Sequence, residues 1–132
     1  MYTIKEIQEK IDLAKAANLS GAELLNDVGQ ACRICNGIGA AWMPEWLRDT
    51  ISKMNPTLIL AADIHDIRYE IGGTETDRKA ADDEMLENGY KLAAYRYGWY
   101  DPRRYLVRRQ MKKFHAILRE FGGWAFNKPE GQ

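Results

Sequence analysis

Apolar side chains recur at three- and four-residue intervals through most of this chain, the period of a helix that buries one face. Ile4, Ile7, Ile11 and Ala14 trace such a face over the first segment. Asn18-Leu19-Ser20 interrupts it. Ser20-Gly21-Ala22-Glu23 then has the form of a capping box, in which serine and glutamate each satisfy a free backbone N–H. That predicts a second helix reaching about Cys32 or Arg33. Two glycines and a proline mark residues 35–44 as a loop, and Pro44 suits the first turn of a short helix to about Lys53. Asn55-Pro56 restarts the chain into a helix that Gly72-Gly73 ends. Thr74-Glu75-Thr76-Asp77 has capping character and opens a long helix towards Tyr97. Gly98 and Asp101-Pro102 turn the chain into a last helix, which Gly122-Gly123 stops. No window alternates as a strand should. The expectation is a small all-α single domain over residues 1–132, with about five or six helices. Residues 1–34 hold N-terminal helices, 35–97 a loop and two central antiparallel helices, and 98–132 a basic helix and tail.

Composition narrows this picture. With 132 residues, 45% of them hydrophobic, the chain suffices for one domain with a core. Its formal net charge of zero provides no global field that would select nucleic acid or membrane. Locally the balance is uneven. Glu75, Asp77, Asp82, Asp83, Glu84 and Glu87 form an acidic block, and Arg103, Arg104, Arg108, Arg109, Lys112, Lys113 and Arg119 a basic one. Cys32 and Cys35 are the only cysteines, so no disulfide framework supports the fold. Their spacing invites a redox or zinc reading. The first expects a βαβ setting and the second two more nearby ligands, so two ordinary thiols at a helix end are expected instead. The charged N-terminus lacks the apolar run of a signal peptide, and no stretch is long and apolar enough to span a bilayer. Synthesis in the cytoplasm is expected.

The candidate chemistry lies in Ala61-Ala62-Asp63-Ile64-His65-Asp66-Ile67-Arg68-Tyr69. Only one other histidine, His115, is present. A histidine beside a carboxylate on a mostly apolar helix is costly unless it is satisfied or used. Histidine can take a proton from water near neutral pH, and a carboxylate can hold a hard cation. Counting outward from the Gly72-Gly73 turn, His65 lies level with Ala80, Ala81 and Asp82 of the next helix. Asp82 is therefore the expected orienting partner of the imidazole, ahead of Asp83. Calcium wants six to eight oxygen ligands, more than one aspartate supplies. The loop around Gly37 and Gly39 can turn backbone carbonyls inward, because glycine tolerates the dihedrals needed.

A glycine loop, then a His-Asp-x-x-Tyr helix, then an antiparallel helix with a second aspartate resembles the phospholipase A2 superfamily. The likeness is to its short, disulfide-poor viral and phage-type members, and it covers roughly residues 35 to 90. The resemblance implies hydrolysis of the sn-2 ester of a glycerophospholipid with Ca²⁺ as cofactor. His65 would be the general base, Asp82 would fix its tautomer, and Tyr69 would hydrogen-bond Asp82. Asp66 would ligate calcium together with the carbonyls of Cys35, Gly37 and Gly39. The Gly37 N–H would help stabilise the oxyanion. The secreted enzymes lock this helix pair with disulfides; Ala62, Ile64 and Arg68 lie among those positions here. Cys35 stands where the secreted family has tyrosine, and Ala40 follows Gly39 in place of a further glycine.

Trp42, Met43 and Trp46 follow the loop and suit either a lipid-facing rim or core packing. The basic helix suits an anionic membrane, a partner groove, nucleic acid, or a solvated face paired with the acidic block. A His-Asp metal phosphohydrolase needs more histidines than this chain has. The expected partner is a phospholipid or membrane surface, with a protein or virion partner as a further expectation and no nucleic acid. Without an export signal, packaging into a virion or release on lysis is the expected route to lipid for a phage or prophage product. Two alternatives stand beside the hydrolase: an inactive phospholipase-like module binding membrane or virion, and a helical adaptor that binds protein or nucleic acid through the basic helix.

Overall fold

A computed structural model describes residues 3–27, 45, 49 and 53–121. They form four α-helices and two 3₁₀ turns, with no strand among the described residues. The all-α expectation holds.

Helix α1 spans Ile4–Ala16 and starts at a capping box that the sequence reading overlooked. The Thr3 hydroxyl accepts from the Glu6 N–H at 3.1 Å, and the Glu6 carboxylate accepts from the Thr3 N–H at 3.2 Å. Its apolar stripe, Ile7, Ile11 and Ala14, is buried as its spacing requires, whereas Ile4 at the first turn is exposed. Asn18 ends the helix with φ of 58°, a left-handed conformation that asparagine tolerates.

The expected second helix is much shorter. Ala22–Asn26 is a 3₁₀ turn, and the capping box at Ser20 and Glu23 does not form. Long-range partners have taken the groups it needed. The Ser20 N–H donates to Asn88 Oδ1 at 2.9 Å, the Asn88 amide donates back to the Ser20 carbonyl at 2.8 Å, and the Ser20 hydroxyl donates to Glu84 at 2.8 Å. Gly21 then has φ of +81°, and a β-carbon there would lie 2.9 Å from both Ile64 and Glu84. Only glycine fits that close approach without strain. Glu45 and Asp49 are helical, and the rest of the short helix expected to about Lys53 lies outside the described residues.

Asn55 caps a 3₁₀ turn over Pro56–Leu58, its side chain accepting from Thr57 N at 2.9 Å. The chain continues directly into α2, Ile59–Ile71. Gly72 and Gly73, both at positive φ, reverse it, and the predicted capping box of Thr74 and Asp77 starts α3, Glu75–Arg96. A turn over 98–101 leads into α4, Pro102–Phe121. Its stripe of Val107, Met111, Phe114 and Leu118 is buried. Helix α3 is central, packed against α2 and α4. At Gly89 a β-carbon would meet Met111 Cγ at 2.5 Å, so the glycine permits the closeness of α3 and α4.

Asn88 is fully buried and ties α3 to the segment after α1 through both halves of its amide. Asn88→Ala should cost about 2 kcal/mol, because it strands two backbone groups of Ser20 in a half-buried setting. Urea unfolding checks this: the midpoint should fall with an unchanged slope.

Candidate functional site

The turn at Gly72-Gly73 sets α2 against α3 so that His65 and Asp82 meet. His65 Nε2 lies 2.7 Å from Asp82 Oδ1. The Tyr69 hydroxyl donates to the same oxygen at 2.7 Å. All three side chains are buried. Tyr69 is one helical turn beyond His65, and their rings lie 4.1 Å apart between centroids, tilted by 40°. The register that favoured Asp82 over Asp83 is the one observed. Asp83 faces α4 instead, paired with His115 Nε2 at 2.9 Å and Lys79 at 2.7 Å.

The second oxygen of Asp82 has partners that the sequence reading did not name. Arg119 Nη1 donates to Oδ2 at 2.9 Å from α4, and Arg78 Nη1 stands 3.6 Å away on α3. Arg78 also donates to the carbonyls of Leu118 at 3.1 Å and Arg119 at 3.4 Å, filling acceptors near the end of α4. Arg78 was within reach of sequence reasoning, since it lies four residues before Asp82 on one helix face. Arg119 depends on how α4 docks.

These contacts set the charge states. Burial alone would raise the Asp82 carboxyl, but hydrogen bonds from His65, Tyr69 and Arg119 outweigh it and hold the group below the usual carboxylate range. Asp82 is thus an anion that accepts from its neighbours. With Asp82 anionic, Nε2 is the ring nitrogen that donates, which makes Nδ1 the acceptor nitrogen of the neutral imidazole. The Tyr69 phenol is pushed up, first by burial and then by Asp82, and stays a donor.

Asp66 has the opposite surroundings. It is buried, and among the described residues its Oδ1 has no hydrogen-bond partner. Burial and then the charge of Asp63 push its carboxyl well above the ordinary value. Asp63 is itself buried, with Lys10 Nζ of α1 at 2.9 Å from its Oδ2. A buried carboxylate oxygen with no donor is the kind of atom that a hard cation would satisfy. Asp66 could contribute one oxygen to such a cation. The described residues hold no group of three or more histidine, cysteine, aspartate or glutamate side chains able to bind a metal. The remaining ligands would have to be backbone carbonyls or other residues. Cys35, Gly37 and Gly39, expected to supply carbonyls, lie outside the described residues, as do Cys32 and the expected rim of Trp42, Met43 and Trp46.

Arg68 ties the two helices ionically. Its Nε and Nη2 donate to the two oxygens of Glu84 at 3.1 and 3.0 Å. No described helix is long and apolar enough to cross a membrane. Comparison with family models, with curated proteins and with solved structures found no match to this chain.

The depressed Asp82 carboxyl fixes the sign of a pH effect. Its stabilisation is fully present above the unfolded carboxyl value, about 3.9, and is lost as pH falls through the lower folded value. Asp82→Asn should cost about 3 kcal/mol at pH 7, because it leaves Arg78 and Arg119 facing a neutral amide. Denaturant unfolding across a pH series should show the gap from wild type narrowing below about pH 4. A gap independent of pH would show that Asp82 is not the ionised partner.

Proposed function

We propose that the protein is a calcium-dependent phospholipase A2-like hydrolase that cleaves the sn-2 ester of glycerophospholipids. The observation that carries this reading is a pair of buried, adjacent residues with contrasting roles. His65 is oriented through Nε2 by an anionic Asp82, and Asp66 beside it has a carboxyl oxygen with no hydrogen-bond partner among the described residues.

In this mechanism water binds at His65 Nδ1 and gives up its proton as its oxygen attacks the ester carbonyl. Asp82 keeps the tautomer and stabilises the imidazolium that forms. Tyr69 and Arg119 hold Asp82 in place, so the ring does not turn when its charge changes. The imidazolium then returns the proton to the departing glycerol oxygen. Asp66 and the carbonyls of Cys35, Gly37 and Gly39 would hold calcium, which when bound would supply an electrophile for the ester carbonyl and the lipid phosphate. The Gly37 N–H would stabilise the oxyanion. The Arg68–Glu84 pair supports the reading, since it gives the helix pair a cross-link where the secreted enzymes rely on disulfides.

Three proteins test the proposal: wild type, His65→Ala and Asp66→Asn. Calorimetry should detect calcium binding to wild type and His65→Ala and none to a folded Asp66→Asn. Hydrolysis of dispersed short-chain phosphatidylcholine should fall in His65→Ala by 10²- to 10⁴-fold, the range of a lost general base. Equal turnover by wild type and His65→Ala would overturn the assignment. A folded wild type that neither binds calcium nor hydrolyses lipid would do so as well.

A further inference from the structure

The outer face of α4 and the turn before it carry features that the proposed chemistry leaves unused. Val107, Met111, Phe114 and Leu118 point into the core. At 100° per residue, Tyr105, Arg109 and Lys112 lie on the opposite side, with Leu106 and Lys113 on its flank. All five are exposed. In the preceding turn Trp99 is 75% exposed and Tyr100 76%, their rings edge-to-face at 5.9 Å. The Tyr105 hydroxyl donates to the Trp99 carbonyl at 2.7 Å, which joins turn and helix into one tip. Leu106, next to Tyr105 in the chain, is a further exposed apolar side chain, at 62%.

Charge is distributed just as unevenly. No acidic residue occurs between Asp101 and Glu120. The two ends of α4 are tied to the protein: Arg103 pairs with Asp101 at 2.7 Å, and Arg119 with Asp82 at 2.9 Å. Arg108 lies over the Tyr90 ring at 4.5 Å. Arg109, Lys112 and Lys113 point outward and, among the described residues, have no acidic partner. A chain of zero net charge thus gathers uncompensated positive charge on one convex helical face.

We propose that this face is a docking surface for an anionic phospholipid bilayer. Trp99, Tyr100, Tyr105 and Leu106 sit at the boundary of headgroups and acyl chains, and Arg109, Lys112 and Lys113 lie on lipid phosphates. Amphipathic rings suit that boundary, and long cationic stems keep their charge at the phosphate level while covering apolar surface. An exposed leucine beside the rings favours hydrocarbon over nucleobases. A single-stranded nucleic acid needs rings interleaved with cations along a groove, whereas these rings are gathered at one end of a convex helix. The surface gives the proposed hydrolase its approach to substrate and rests on that reading for its purpose. Binding itself requires neither His65 nor calcium.

The test is co-sedimentation of the full chain with phosphatidylglycerol and with phosphatidylcholine vesicles, in EDTA so that no lipid is hydrolysed. Wild type should bind phosphatidylglycerol selectively and release at high salt. Each cation near an anionic surface contributes about 1 kcal/mol, or about fivefold, so R109Q/K112Q/K113Q should weaken binding on the order of a hundredfold. W99A/Y100A should weaken it by tenfold or more through lost apolar burial. Every substituted side chain is exposed, so melting curves by circular dichroism should be unchanged. Equal binding by wild type and the triple variant would overturn the proposal, as would binding to a single-stranded RNA oligonucleotide and not to vesicles. Vesicle binding without ester hydrolysis would remove the hydrolase and leave the surface standing. Hydrolysis of dispersed lipid without vesicle binding would do the reverse.

Discussion

An ionised carboxylate withdrawn from water loses several kcal/mol of hydration, and the protein must replace it with charge and hydrogen bonds held in place. Asp82 is fully buried on the central helix, and most of the structure answers that requirement. Helix α2 supplies His65 and Tyr69 to one oxygen, and α4 supplies Arg119 to the other. Arg78, from the same helix as Asp82, spans the gap between that carboxylate and the carbonyls at the end of α4. One atom pair thereby fixes the mutual position of three helices. A shift of α4 by one turn would move Arg119 about 5 Å and leave the anion undercompensated.

Against that background, Asp66 is informative by contrast. Asp82 and Asp66 are both buried, yet their carboxyls are displaced in opposite directions. The difference lies in the neighbours. Asp82 faces donors and cations, whereas Asp66 has burial and the negative charge of Asp63. The two buried carboxyls thus differ because Asp82 is met by donors on both oxygens, whereas Asp66 Oδ1 meets none among the described residues, which costs stability unless another group satisfies it.

Much of this arrangement was legible in the sequence, and the boundary is physical. The α2–α3 pair was readable because a two-glycine turn fixes its register; counting from Gly72 brought His65 level with Asp82. Caps that close within three residues, such as Thr74 with Asp77, are local and can be read locally. Ser20 failed as a cap because its partners, Glu84 and Asn88, lie more than sixty residues away. Arg119 was hidden for the same reason. A basic residue on an amphipathic helix looks the same in sequence whether it turns inward to a buried anion or outward to solvent. Only the docking of Met111 onto Gly89 decides its direction.

That docking gives α4 two unlike ends. Towards its C-terminus the helix turns Arg119 inward to Asp82, and His115 hydrogen-bonds Asp83. The acidic block of α3 is met by α4, by its own helix through Arg78 and Lys79, and by Arg68 of α2. No described acidic residue pairs with Arg109, Lys112 or Lys113. The inward face is set by the anion that holds His65, and the outward face inherits the cations that the site does not use. One helix thus couples the orientation of the proposed base to the direction in which the protein presents its positive charge. A rotation of α4 that freed Arg119 would also turn the exposed face away from whatever it contacts, so site geometry and surface orientation change together.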